Sequence, residues 1–283
     1  MELKVTGALN AGTVLFWPDE AGDAALFESL LHMAETKYRV LVPICASENS
    51  LNDEIAALER VLLNEFGGQL WGAYGLRSGG SAVLLLLSRG NVRVHTAIVE
   101  GAVSVPPTGL EIYGETLVCW KGSKDKQAAK FWEALRAVCP AVRSLTMKKL
   151  KAGKTFFSVR PDLMFQKLEK TIGTVGTVCT EEKVRRCPED VWEHLCDNAR
   201  KKEQKGCKTA QIKGKFTQTV EGSGKGVKLW SCTTHAEPFG ENGTICREWV
   251  GISAGKLTPL AVPLAKIYLQ GTQKLRNRQI SKE

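Results

Sequence analysis

One stretch limits the folds open to this chain more than any other: Gln69-Leu-Trp-Gly-Ala-Tyr-Gly-Leu-Arg-Ser-Gly-Gly-Ser-Ala-Val-Leu-Leu-Leu-Leu87. It reads as a short strand, a glycine-rich turn and a buried helix. Gly75, Gly79 and Gly80 let the backbone reverse sharply and let helix and strand pack closely. A strand that ends in a tight turn at a helix N-terminus is where α/β proteins place reactive groups, because the free N–H groups there stabilise negative charge. Arg77 occupies the position where a nucleophile would be sought first.

The neighbouring segments extend this pattern. Thr13–Trp17 is a short apolar run that ends in Pro18-Asp-Glu-Ala-Gly22. A helix with Leu26, Phe27, Leu30 and Leu31 on one side follows, and then the strand Tyr38–Cys45. Ser50 precedes a second one-sided helix that ends at Gly67-Gly68. Beyond the turn lie the strands His95–Glu100, Glu115–Trp120 and Val142–Met147, with a helix from Lys126 to Val138. Apolar strands without polar alternation, separated by helices, predict a largely parallel sheet covered on both faces. In such sheets function gathers at the carboxyl ends of the strands. Three loops meet there: 18–22, 75–80 and 121–125.

The 283 residues suffice for two domains, each with its own core. No run is long and apolar enough to predict a membrane span, and Met1-Glu-Leu-Lys-Val-Thr does not read as a secretory signal. Nine cysteines without a CxxC pair read as reduced thiols of a cytoplasmic protein. Cys187, Cys196 and Cys207 fit no zinc spacing, so neither metal nor cofactor is expected. The net charge of +9 is uneven: residues 173–283 hold 19 basic against 12 acidic residues, residues 1–172 hold 20 against 18. A basic second part could act as an interaction module. No aromatic residues interleave with Arg200-Lys-Lys-Glu-Gln-Lys205, so nucleic acid is not the expected partner.

Residues 12–172 resemble a compact α/β-hydrolase. Thr13–Trp17 resembles the oxyanion-hole strand, and Gly75-Leu-Arg-Ser-Gly-Gly80-Ser-Ala82 the nucleophile elbow. Gly122-Ser-Lys-Asp125 resembles the segment that supplies the acid, and Lys151-Ala-Gly153-Lys154 stands where the family has Gly-His. The strand ending at Glu100 passes to the one beginning at Glu115 without a lid domain. This resemblance puts Arg77 on the nucleophile and Lys154 on the general base, and keeps only Asp125. A guanidinium stays protonated and cannot attack a carbonyl, so on this alignment the relay is absent. A shift of one residue would make Ser78 the nucleophile with Asp125 as acid, at the cost of the small residue two positions before it. His32 and His95 are placed far from the loop where the base would sit.

Residues 173–283 begin in the Gly/Thr-rich junction Thr171–Thr180. Cys187-Pro-Glu-Asp-Val-Trp-Glu-His-Leu-Cys196 reads as a helix with Pro188 in its first turn. Three strand-like segments, 209–220, 227–235 and 244–250, alternate polar with apolar residues as in an antiparallel sheet. A helix from about Pro259 carries Leu260, Leu264, Ile267 and Leu275 on one stripe. This order resembles a START-like (SRPBCC, polyketide cyclase) helix-grip domain, in which a curved sheet wraps the last helix around an apolar ligand. The resemblance implies that Trp230, Trp249, Leu260, Leu264 and Ile267 either fill the core or line a pocket.

The expected architecture is therefore α/β followed by α+β. An α/β-hydrolase-like domain (1–172) has a mostly parallel sheet with helices on both faces, and a small antiparallel helix-grip domain (173–283) follows. The expected function is non-catalytic binding of a small anionic or apolar ligand, or of a protein partner, with Trp17, Arg77, Ser78, Asp125 and Lys154 at the site. Arg77 either opens a positive pocket there or closes it by pairing with Asp125. The alternatives are an active esterase using Ser78 and a basic interaction module in 173–283. A homo-oligomer is allowed, and no membrane partner is expected.

Overall fold

The structure, a computed structural model, describes residues 2–19, 24–45, 50–105, 115–120, 126–139, 142–146, 162, 165–166, 169–170, 173–212, 216–224, 227–240 and 243–280. The chain divides into two compact units, residues 1–63 with 68–173, and residues 64–67 with 174–283.

The first unit runs β1 (Glu2–Gly7), β2 (Thr13–Trp17), α1 (Ala24–Glu35), β3 (Arg39–Ile44), α2 (Leu51–Phe66), β4 (Gln69–Leu70), β5 (Gly72–Leu76), α3 (Ser78–Arg89), β6 (Arg93–Val94), β7 (Thr96–Glu100), β8 (Glu115–Trp120), α4 (Lys126–Val138) and β9 (Arg143–Thr146). Seven of the strands form one sheet in the order β1-β3-β2-β5-β7-β8-β9. Every pairing in it is parallel except β1 with β3. β2, β5 and β7 are buried along their whole length, which is why their sequences show no polar alternation. Phe16, Phe27 and Tyr74 meet over the centre of the sheet, with ring centroids 5.8–6.1 Å apart. β1 is a mostly exposed edge strand. At the start of α2, Ser50 Oγ accepts from Asp53 N (3.2 Å) and donates to Asp53 Oδ2 (2.6 Å), a local cap readable from sequence.

The chain steps from β2 to β3 in one direction along the sheet, and from β3 past β2 to β5 in the other. Right-handed crossovers then put α1 on one face and α2 and α3 on the opposite face.

The second unit runs β10 (Gly176–Val184), α5 (Pro188–Glu203), β11 (Lys208–Ile212), β12 (Thr217–Gly224), β13 (Val227–Pro238), β14 (Thr244–Ser253), a 3₁₀ turn (Gly255–Leu257) and α6 (Thr258–Ile280). Its five strands form one antiparallel sheet in the order β10-β14-β13-β12-β11, so the first strand lies beside the last. α5 begins with Pro188, Glu189 and Asp190, which suit the amide-rich end of a helix. Val191 and Leu195 of α5 pack on Val184, Ala236 and Cys246. α6 lies along β10 and β14, with Leu269, Ala261, Val262 and Ala265 against Val178, Val250 and Ile252.

Two expectations for this unit are corrected. Leu260, Leu264 and Ile267 neither fill a core nor line a pocket; each is 66–67% exposed. The face of α6 that packs on the sheet is the one bearing Ala261, Val262, Ala265 and Leu269. It approaches so closely that a Cβ on Gly176 would stand 2.1 Å from Val262 Cγ2. Trp230 and Trp249 do not share a pocket either. Trp230 pairs with Ile252 and packs in the cluster under α6, whereas Trp249 lies an odd number of residues from Ile252 and points to the other side of the sheet.

Candidate functional site

β2 and β5 are parallel neighbours at the point where the strand order changes direction, so their carboxyl ends lie side by side at the place where open α/β sheets bind their ligands. The loop leaving β2 carries Asp19, and the turn leaving β5 carries Arg77 and Ser78.

The turn is the sharp strand-to-helix elbow that its glycines allow. A Cβ on Gly75 would stand 2.3 Å from Gly79 O, and one on Gly79 would stand 2.2 Å from Trp17 O. Neither position has room for a side chain. Arg77, at the apex, adopts φ 50° and ψ −109°, a conformation that L residues rarely hold without support. The support is visible on both sides of it. Arg77 N donates to Glu100 O at the end of β7 (2.8 Å), and Arg77 O accepts from Ser81 N as α3 begins (3.1 Å). Ser81 Oγ accepts from Val103 N (3.0 Å) and Ser104 N (3.1 Å), which ties the loop after β7 to the same helix end.

Asp19 joins the two loops. Its Oδ2 accepts from an Arg77 guanidinium N–H at 3.0 Å, and its Oδ1 accepts from the Ser78 hydroxyl at 2.9 Å. The Asp19 side chain is 11% exposed and that of Arg77 40%, so the carboxylate is nearly buried and the guanidinium is partly open to solvent. Glu100, 4% exposed, sits at the end of the adjacent strand, and its Oε2 accepts from Tyr74 OH at 3.2 Å. Trp17 is buried, and its main-chain carbonyl borders the elbow at Gly79.

The structure thus brings Trp17, Arg77 and Ser78 to one place. Asp125 and Lys154 lie outside the described residues. The expected partner of Arg77 was Asp125; the carboxylate described beside it is Asp19. Sequence reasoning placed the 18–22 loop at this edge but assigned Asp19 no role, although it is the first ionisable residue after β2. Glu100 was missed for a simpler reason: it reads as the last residue of an apolar strand.

Four histidines could in principle serve a hydroxyl, and none is described beside Ser78. His95 immediately precedes β7, at the amino end of the sheet, a full strand length from the elbow. It stacks on Trp71 with ring centroids 4.3 Å apart. Burial, reinforced by the nearby Arg93 charge, lowers its pKa to about 3, so it is neutral at physiological pH. His32 sits in the last turn of α1, at the end of that helix far from the β2 loop. His194 and His235 belong to the second unit.

No protein-family model matches the chain. No curated protein matches it in sequence. Among solved structures it is similar to an α/β-hydrolase family protein from Desulfitobacterium hafniense, with 11% identity over 60% of this chain and 99% of that one and a TM-score of 0.49. It is also similar to a hydrolase from Pseudomonas aeruginosa, with 11% identity over 60% and 93% and a TM-score of 0.47. An α/β-hydrolase from Sphaerobacter thermophilus shows 12% identity over 60% and 95% and a TM-score of 0.44. The strand order and the elbow, rather than these scores, describe the first unit.

Proposed function

We propose that the first unit is a hydrolase-like scaffold that binds without hydrolysing, and that it takes a small ligand or a partner protein at the strand ends beside Arg77. One observation carries this reading: the apex of the elbow is a guanidinium salt-bridged to Asp19. A permanently protonated group cannot attack a carbonyl. Ser78 is one position past the apex, and its hydroxyl is committed to a carboxylate 2.9 Å away. A negative charge there opposes the alkoxide and oxyanion that acyl transfer must build up.

A ligand bearing a carboxylate or phosphate suits this place best. It would meet the exposed side of Arg77 at the start of a helix and share the guanidinium with Asp19. The second unit is read as a shortened START-like domain, on the grounds that its first strand returns beside its last and its C-terminal helix lies over that pair.

The reading is tested with a panel of p-nitrophenyl esters and a thermal-shift screen of small carboxylates and phosphates. The expected result is no ester turnover above buffer, together with a stabilising compound whose effect is lost in Arg77→Ala. Turnover of about 10 per minute or more that disappears in Ser78→Ala would overturn it.

A further inference from the structure

α6 presents two apolar stripes, and the sheet uses only one. Val262, Ala265 and Leu269 face β10 and β14. On another side, Leu257, just before the helix, and Leu260, Leu264, Ile267 and Tyr268 within it are 56–71% exposed. Their spacing of three and four residues makes them one continuous ridge about three turns long. The other exposed large apolar residues among those described, Val5, Leu9, Ile44, Val103 and Phe239, are scattered. Scattered residues of that kind need no explanation, whereas a contiguous apolar ridge marks an interaction surface.

Charge selects the occupant. Residues 255–280 carry five basic side chains, Lys256, Lys266, Lys274, Arg276 and Arg278, and no acidic one. A second copy docked through this helix would set two such segments, each basic and without an acidic residue, against one another. An anionic lipid surface offers the ridge an apolar phase and these residues an opposite charge. Leucines and an isoleucine enter the acyl boundary, Tyr268 keeps its hydroxyl at headgroup level, and Lys256, next to the ridge, meets anionic headgroups.

We propose that α6 seats the protein on an anionic lipid surface, lying in the plane of the membrane with the Leu257–Tyr268 ridge immersed. No described helix is long and apolar enough to cross a membrane, and an in-plane helix needs no such length. The sequence expectation of no membrane partner rested on the lack of a spanning run, a criterion that does not bear on this mode of attachment. The proposal is independent of what binds at the elbow.

The test is flotation of the full chain with vesicles of phosphatidylglycerol and phosphatidylcholine in equal parts, against vesicles of phosphatidylcholine alone. Binding to the anionic vesicles should be at least roughly tenfold stronger and should weaken with added salt. The double variant Leu264→Gln/Ile267→Gln, altered only at exposed positions, should keep the parent melting temperature and lose binding by roughly tenfold or more. Lys256→Gln, beside the ridge, should weaken binding to the anionic vesicles only. The proposal is overturned by failure to float with anionic vesicles, by equal binding to neutral ones, or by undiminished binding in Leu264→Gln/Ile267→Gln. A dimer in light scattering that this double variant dissociates would also overturn it, by making the ridge a contact between copies.

Discussion

Arg77 holds a strained backbone conformation because its neighbours leave the chain no other path. Gly75 and Gly79 have main-chain atoms where side chains would be, and Glu100 O and Ser81 N hold the peptide units on either side of the apex. The elbow is therefore a property of four or five backbone positions, and it persists with an arginine at its tip. Gly79→Ala checks this. Its methyl would collide with the carbonyls of Trp17 and Pro18, at 2.2 and 2.6 Å, and backbone cannot swing aside as a long side chain can. The expected loss is about 3 kcal/mol of unfolding free energy in urea, at the upper end of overpacking costs. Gly271→Ala is the control. It lies inside α6 with nothing within 4 Å, and should be neutral or stabilising by roughly 0.5–1 kcal/mol.

At the scale of elements, α6 shows how a helix chooses its face. Its large aliphatic residues would bury more area, yet the side bearing Ala261, Val262 and Ala265 is the one that fits against Gly176 on β10. One polar contact adds to the apolar packing. Thr180, Glu248, Thr234 and Gln218 are successive cross-strand partners and share a row on the helix-bearing face. From α6, Gln273 reaches that row and donates to Thr180 Oγ1 (2.7 Å) and Glu248 Oε2 (3.1 Å). Glu248 is 6% exposed, so removing a donor from its carboxylate leaves part of a desolvation cost uncompensated. Gln273→Ala should cost about 1–3 kcal/mol in urea unfolding, against a few tenths for exposed Gln270→Ala. Equal effects would show that the apolar side of α6 alone holds the helix.

Over the whole molecule, stability should depend on pH through His95. Its pKa is about 3 when folded, because burial and then the Arg93 charge oppose protonation, against about 6.5 when unfolded. The unfolded chain therefore binds the extra proton first. Stability falls as pH drops below about 6.5 and goes on falling until the folded form protonates near 3. Between pH 7 and 5 this one residue should remove about 2 kcal/mol. His95→Phe, which keeps a ring on Trp71, should lose correspondingly less over the same interval. If variant and parent fall in parallel, the dependence arises elsewhere.

The sequence alone determined that residues 13–120 would form apolar strands separated by helices, because strands buried on both faces cannot alternate in polarity. It also located the elbow, since glycines at 75, 79 and 80 beside a run of leucines leave few other structures. Two features were decided only by tertiary structure. Asp19 lies 58 residues from Arg77, and nothing local to either announces the ion pair; the pair exists because β2 and β5 are parallel neighbours with their carboxyl ends side by side. The exposed ridge on α6 came about in the same way. Both of its stripes have helical spacing, and periodicity does not rank them. Close approach to a glycine-bearing strand does, by admitting Ala261, Val262 and Ala265 and leaving Leu260, Leu264 and Ile267 in solvent.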